Sequence, residues 1–211
     1  EWVASDVSGM YILRGPQTLT MGPDAFGNIL MVEPPSLPVD KQITGQFGLA
    51  YASVNQKLAA KTAFSGYFSK KRNIGFHLNA SYSKAGNTKT PDYYQKNTGF
   101  REVNVSASLH YTLKNAKLIL GYKSFIQKTG ILASSHIGNL TDLNNAIESD
   151  TPFETAGFTY FIDRPYQSIL HQTAFFKAHI PLNVKNHIHF QYEYQNNRRD
   201  EFDKLSGAST S

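Results

Sequence analysis

The sequence predicts an all-β fold, made of antiparallel strands that form part of a large transmembrane β-barrel. Seven segments alternate apolar and polar residues with a period of two, which is the pattern of a strand with two different faces. Most of the segments are 9 to 11 residues long, whereas strands of soluble proteins usually have 5 or 6 and a tilted strand that crosses a bilayer needs about 9 to 11. No apolar run of about 18 residues is present, so no transmembrane helix is expected.

The two faces of these segments differ in chemistry. In the last segment, Ile188, Phe190 and Tyr192 alternate with His189 and Gln191. Across the chain the second face is rich in Ser, Asn, Thr, Gln and His, which is typical of the wall of a water-filled lumen. The segments are 43–51, 58–68, 74–82, 103–113, 118–126, 170–180 and 188–194.

The connections between the segments alternate in length. Long connections near 85–101 and 129–168 are expected to be extracellular loops, because outer-membrane barrels have short periplasmic turns and longer extracellular loops. The first outer connection, near Asn55 and Gln56, is an exception because it is short. The short connections on the other side are 70–73, 114–115 and 181–186.

Several tyrosines lie toward the predicted strand ends on the apolar face. Such residues can form aromatic belts at the two membrane interfaces, although ordinary sheet packing would also place them there. These tyrosines are Tyr51, Tyr82, Tyr111, Tyr122, Tyr192 and Tyr194.

Composition excludes several classes of protein. The chain has 211 residues, 40% hydrophobic and 18% charged, which is too apolar for a disordered protein. It has no Cys, so neither a disulfide framework nor a Cys-based metal site is possible. The net charge of +5 is spread along the chain without a basic stripe, so nucleic-acid binding is not expected. The first residues are not a signal peptide, so a targeting segment would lie elsewhere.

The first forty residues carry a motif of a different kind. Residues 10–16 read Met-Tyr-Ile-Leu-Arg-Gly-Pro, and residues 19–30 read Leu-Thr-Met-Gly-Pro-Asp-Ala-Phe-Gly-Asn-Ile-Leu. This resembles the end of the plug domain of TonB-dependent outer-membrane receptors, where an apolar strand runs into Arg-Gly-Pro and glycine turns precede a second strand. The motif residues are Arg14, Gly15, Pro16, Gly22 and Gly27.

The motif residues are read as structural. The glycines supply backbone freedom for tight turns, and Pro16 fixes a bend, so that 11–13 and 28–32 pair as strands. Two positions depart from the family pattern, since Tyr11 stands where an acidic residue is usual and Asn28 replaces a glycine. Asn tolerates left-handed backbone geometry, so the turn is expected to survive.

The resemblance implies a division of the chain. Residues 1–38 would be the C-terminal part of the plug domain and a proline-rich linker, and 39–211 the first strands of the barrel. A plugged barrel of this class has about 22 strands, so the remaining strands and the upstream plug would lie outside this chain.

A second resemblance covers the long outer connections. The segments 135–143, 146–153, 164–167 and 195–203 look like the third outer loop and the start of the fourth in receptors common in Bacteroidetes, many of them for iron complexes. The family implies import of a scarce nutrient across the Gram-negative outer membrane, with a ferric siderophore or other iron complex first and vitamin B12, a glycan or a peptide as alternatives. It implies TonB, with ExbB and ExbD, as partners through a segment not in this chain.

Candidate ligand contacts lie in the predicted outer loops. Tyr93 and Tyr94, accompanied by Lys89 and Lys96, suit the capture of anionic iron chelates, or they pack within the loop. His136 and Asp142 lie in the longer loop. A short helix is predicted over 141–149, with Thr141 as its N-cap. His136 either contacts a ligand or caps this helix. Asp142 is either a ligand contact or a charged residue of the helix.

No catalytic constellation is visible, so an enzyme is not expected, and no cofactor is predicted. His187 and His189 share one strand face and could ligate a metal, but polar residues facing the lumen explain them as well, and no metal site is predicted. A passive porin, a barrel enzyme such as an outer-membrane protease and a soluble β-sandwich adhesin are the alternatives from other classes. The plug motif disfavours the first two, and strand length disfavours the adhesin.

Overall fold

The computed structural model describes residues 9–21, 27–33, 37–38, 43–68, 73–132, 134, 140–152 and 154–203. Within these ranges the fold is all-β, with antiparallel sheets and one short α-helix. The all-β prediction is therefore confirmed.

The N-terminal motif forms a small hairpin. Strands β1 (Gly9–Arg14) and β2 (Asn28–Glu33) pair antiparallel, with Arg14 opposite Asn28, and a 3-10 helix follows β1. Gly15 and Gly27 have φ angles of +76° and +83°, a backbone region that glycine enters without steric cost. The predicted pairing is confirmed, and both glycines occupy turn positions; Gly22 lies outside the described residues.

Seven long strands form one sheet in which neighbours in sequence are neighbours in space. All neighbouring pairs are antiparallel, and each of the seven predicted segments lies in one of these strands, except that Phe68 falls one residue after the end of β4. The strands are β3 (Ile43–Ala52), β4 (Lys57–Tyr67), β5 (Ile74–Ala85), β8 (Phe100–Leu113), β9 (Ala116–Gly130), β11 (Tyr166–Pro181) and β12 (His187–Phe202). The shorter elements are β6 (Thr88–Lys89), β7 (Tyr94–Gln95), α1 (Leu140–Glu148) and β10 (Thr155–Ala156).

The register places most of the apolar side chains of the seven strands on one face, whereas Ile119, Phe125, Ile169 and Phe175 lie on the other face among polar residues. The apolar face is exposed in this chain, with Phe47 and Leu49 70% and 74% accessible. One row of directly paired residues runs Phe64, Leu78, Ala107, Tyr122, Ala174 and Tyr194. In a protein that remains in water, a large exposed apolar surface such as this face marks an interaction site.

The opposite face is held by hydrogen bonds between small polar side chains. Asn79 Nδ2 donates to Ser106 Oγ at 3.1 Å, and Asn104 Nδ2 donates to Ser81 Oγ at 3.1 Å. These pairs cross neighbouring strands, so they fix the sheet register from the polar side.

Polar side chains also meet on the apolar face, across strands β9, β11 and β12. Gln172 Nε2 donates to the Tyr122 hydroxyl at 2.6 Å, and Asn196 Nδ2 donates to Gln172 Oε1 at 3.3 Å. Tyr122 therefore lies within its strand, as do Tyr192 and Tyr194, and the prediction that these three lie near strand ends is wrong. The ladder continues past the predicted segments because polar residues on adjacent strands keep pairing.

The short connections are tight turns at one end of the sheet. Residues 114–115 close a two-residue hairpin in which Lys114 has φ +52°. In the turn after β11, Asn183 Oδ1 accepts the amides of Lys185 and Asn186 at 3.0 and 2.9 Å, which is the usual role of Asn in turns.

The helical content is small. The helix α1 spans 9 residues, and no helix among the described residues has the length and hydropathy that crossing a membrane would need.

Candidate functional site

The two long connections and the first turn meet at one end of the large sheet. They are 53–56, 86–99 and 131–165, the last of which is described at 131–132, 134, 140–152 and 154–165. Alternate hairpin ends of an antiparallel sheet lie on the same side, so the topology alone brings these three segments together. We call them the loop cluster.

A small sheet joins the two long connections. In its register Tyr94 lies opposite both Lys89 and Ala156. The central strand β7 thus bonds to β6 within its own connection and to β10 in the other one. The two loops are therefore one hydrogen-bonded unit.

Backbone hydrogen bonds attach the first turn to this unit. The amide of Gly86 donates to the carbonyl of Asn55 at 2.9 Å, and the amide of Lys89 donates to that of Val54 at 2.7 Å. The Tyr160 hydroxyl donates to the carbonyl of Gln56 at 2.7 Å. The short first turn, exceptional in sequence, thereby supports both longer loops.

Asn97 lies at the centre of the loop cluster and is 4% exposed. Its Nδ2 donates to the carbonyls of Ile131 and Pro165 at 3.0 and 2.7 Å, and its Oδ1 accepts the amide of Asp163 at 3.0 Å. Its own amide donates to Asn87 Oδ1 at 3.0 Å. The residue has φ +63°, a conformation that Asn adopts more readily than most side chains.

Asn87 extends the same network into the longer loop. Its amide donates to the carbonyl of Thr159, and its Nδ2 donates to that of Gly157, each at 3.0 Å. We call Asn87 and Asn97 the asparagine pair. Because buried amides of this kind satisfy backbone groups that would otherwise lack partners, the asparagine pair fixes both loops against the strand ends.

An aromatic cluster packs beside the asparagine pair. The rings of Tyr94 and Phe158 meet edge to face at 5.8 Å, and those of Phe158 and Tyr160 at 5.0 Å. Lys84 Nζ lies 4.1 Å from the centroid of the Tyr160 ring, within the range of a cation–π contact. The loop cluster therefore has a small core of its own.

The predicted ligand contacts in the first long loop have the following positions. Tyr93 is half-buried, and its backbone bonds to Thr90 within a tight turn. Tyr94 packs on the aromatic cluster, Lys89 is exposed, and Lys96 Nζ forms an ion pair with Glu154 at 2.7 Å. The structure brings these residues together, and their contact with a ligand stays a prediction.

The predicted contacts in the longer loop are less fully defined. His136 lies outside the described residues. The backbone of Asp142 is part of α1, whereas its side chain is not among the described ones. The helix begins at Leu140, so the prediction of Thr141 as N-cap is wrong. Thr141 is inside the first turn, where a side chain no longer has the cap position.

The polar face forms a concave surface near the loop cluster. A cavity of about 550 Å³ lies over the outer halves of the first strands, a size suited to a small molecule. Glu102 is buried there and accepts bonds from Asn104 Nδ2 at 2.8 Å and Gln127 Nε2 at 3.1 Å. Most of the exposed lining is apolar, and its charged and hydroxyl-bearing side chains include Lys57, Lys61, Ser81, Ser83 and Glu102. Such a lining can hold a small molecule that has both apolar and polar groups.

The sequence did not predict the asparagine pair or the cavity over the first strands. Asn87 and Asn97 are ordinary loop residues in the sequence, and only the tertiary contacts show their role. The sequence did contain a signal for the cavity, because the period-two alternation assigns Glu102, Ser81 and Lys61 to the polar faces of their strands.

Comparison with known proteins gives no relative: no protein-family model matches the chain, and no curated protein matches it.

Proposed function

We propose that this chain is part of a TonB-dependent outer-membrane receptor that imports a scarce nutrient, with an iron complex such as a ferric siderophore as the first candidate. The observation that carries the proposal is the common register of the seven-stranded sheet. It gives one predominantly apolar face, one predominantly polar face and a loop cluster at a single end. Lipid outside and water inside a barrel require this division.

The exposure of the apolar face favours a barrel over a β-sandwich. A soluble sandwich would bury this face against a second sheet about 10 Å away. Across the described strands, Phe47, Leu49, Leu120 and Phe190 remain more than half exposed. In the barrel the bilayer covers these side chains, and strands outside this chain would pair with the free edges of β3 and β12.

The N-terminal hairpin supports a plug. It joins Arg14 and Gly15 to the turn at Gly27 in the arrangement that the plug motif implies. In the predicted linker, Leu37 lies against Gly75, on the polar face of β5. A linker on that side is what a plug inside the lumen requires.

The loop cluster is the proposed site of nutrient capture. Exposed Lys89 and half-buried Tyr93 offer a cation and an aromatic ring at the outer end of the sheet. Lys89 and Tyr93 can each contact an anionic chelate, so they are the proposed contacts for an iron complex. The chemistry is gated binding, with energy passed by TonB, ExbB and ExbD to a segment outside this chain.

The test of the function is iron uptake by cells under iron limitation. A strain lacking the full-length gene is compared with its complemented parent, and candidate iron chelates are supplied one at a time. We expect the mutant to lose uptake of one chelate and to keep the others. Equal cell iron with every chelate would contradict the iron proposal, and vitamin B12 and glycan uptake would be measured next.

Labelling of introduced cysteines tests the orientation of the sheet. The chain has no Cys, so Lys89→Cys in the loop cluster and Lys185→Cys in the opposite turn are a matched pair of exposed sites. In a full-length protein without other cysteines, a membrane-impermeant maleimide should label position 89 in intact cells. It should label position 185 only after the outer membrane is permeabilised. Equal labelling of both sites in intact cells would rule out a membrane-spanning sheet with this orientation.

A further inference from the structure

Three histidines meet at the turn end of the β11–β12 hairpin. His179 of β11 lies directly opposite His189 of β12, and His187 precedes His189 by two residues. Cross-strand partners and residues two apart share a face, so all three side chains lie on the polar face. His179 is half-buried, whereas His187 and His189 are exposed.

The ring geometry of this cluster is specific. The Nδ1 atoms of His179 and His189 are 3.3 Å apart, and their ring centroids are 4.4 Å apart with a 50° tilt. The ring of His187 stacks on that of His179 at 5.4 Å, with 18° between the planes. Two nitrogens that approach to this distance share a proton or a cation, because their lone pairs otherwise repel each other.

The nitrogen separation fits one edge of a tetrahedral zinc site. Zinc–nitrogen bonds are about 2.0 to 2.1 Å, so two ligand nitrogens of a tetrahedral ion lie about 3.4 Å apart. The observed 3.3 Å separation allows both Nδ1 atoms to bind one ion with almost no change in their distance.

We propose that His179 and His189 form a two-histidine binding site for a borderline divalent ion such as Zn²⁺. Among the described residues, no group of three or more His, Cys, Asp or Glu is placed so that it could hold a metal ion. The site is therefore a pair of imidazole ligands with water in the remaining positions, and His187 lies beside the pair with its ring stacked on that of His179. Imidazole ligands favour Zn²⁺, Cu²⁺ and Ni²⁺ over Mg²⁺ or Ca²⁺.

One neighbouring charge opposes the ion. Lys117 of β9 lies opposite His179 on the side away from His189. An ammonium group repels a divalent cation, so Lys117 lowers the affinity of the site. Lys117→Met should therefore tighten zinc binding, the opposite of what loss of a ligand does.

The site is tested by zinc titration of the full-length protein in detergent, with a chromogenic chelator as competitor. We expect saturable binding at this hairpin. His179→Ala and His189→Ala should each weaken it at least tenfold, since loss of an outer-shell partner alone costs about 10- to 100-fold. His187→Ala should weaken it less. Co²⁺ in place of Zn²⁺ should give the visible absorption of a tetrahedral ion.

His171→Ala is the matched control, because His171 lies on the same strand and the same face, near the opposite end of β11. Its zinc affinity should equal that of the parent. Unchanged affinity in both His179→Ala and His189→Ala would overturn the proposal, and so would an equal loss in His171→Ala or weaker binding in Lys117→Met. Neither the titration nor its controls depend on which nutrient the protein carries.

Discussion

Leu120→Arg should destabilise the protein folded in a lipid bilayer by about 2 to 4 kcal/mol, the cost of a guanidinium on the lipid face near the bilayer centre. Leu120 lies on the apolar face of β9, paired with Leu109 on one side and Phe176 on the other. Its side chain is 57% exposed in this chain, so in water an arginine would cost little. The size of the effect therefore reports whether lipid covers this face.

The measurement is the free energy of unfolding from urea titration of the full-length protein in phospholipid vesicles. Gln195→Arg is the control, because Gln195 lies on the polar face of β12, is exposed and bonds to the carboxylate of Glu193. An arginine there stays in water beside an acidic group, so a change within about 0.5 kcal/mol is expected. Similar effects of the two substitutions would argue against the barrel.

The sequence was sufficient to predict the strands and their two faces. Period-two alternation is a local property, and antiparallel pairing of successive strands follows once the turns are short, as at 114–115 and 182–186. Several strands extend further than the alternation of apolar and polar residues predicted. Residues such as Asn196 and Arg198 give no apolar signal, yet the ladder continues through them because β11 supplies partners.

Contacts that depend on tertiary structure could not be predicted in this way. The sequence showed His187 and His189 as a pair, but His179 joins them only through the register that the turn after β11 fixes. The same holds for the loop cluster, where Asn97 contacts Pro165 across 68 positions of sequence. A short polar side chain in a loop gives no sign of such a partner.

Asn97→Ala should release the two long loops of the loop cluster from each other. The substitution removes three side-chain hydrogen bonds and leaves the carbonyls of Ile131 and Pro165 and the amide of Asp163 without these partners. At about 0.5 to 1.5 kcal/mol for each bond, the local cost is about 1.5 to 4.5 kcal/mol. The φ of +63° adds about 1 to 2 kcal/mol, because alanine has steric strain in the left-handed region.

Hydrogen exchange separates these contributions. The amide of Asp163 donates to Asn97 Oδ1, so its free energy of opening should fall by several kcal/mol in Asn97→Ala, as far as the stability of the loop allows. In Asn97→Gly this free energy of opening should fall less, because glycine adopts the positive φ without strain although the same hydrogen bonds are lost. In Asn97→Asp the free energy of opening should fall less than in Asn97→Ala, since a carboxylate can still accept the amide of Asp163 although it cannot donate to the two carbonyls.

The amide of Asn186 is the internal control, because it donates to Asn183 Oδ1 in a turn at the opposite end of the sheet. It should exchange normally in Asn97→Ala and faster in Asn183→Ala, in which Asp163 should be unchanged. If both amides respond to both substitutions, the effect is global unfolding rather than release of the loops. If Asp163 stays protected in Asn97→Ala, the network does not hold the loop cluster. If the proposed function is right, release of the loops should also lower the affinity for the nutrient, because a ligand must then order loops that are preformed in the parent.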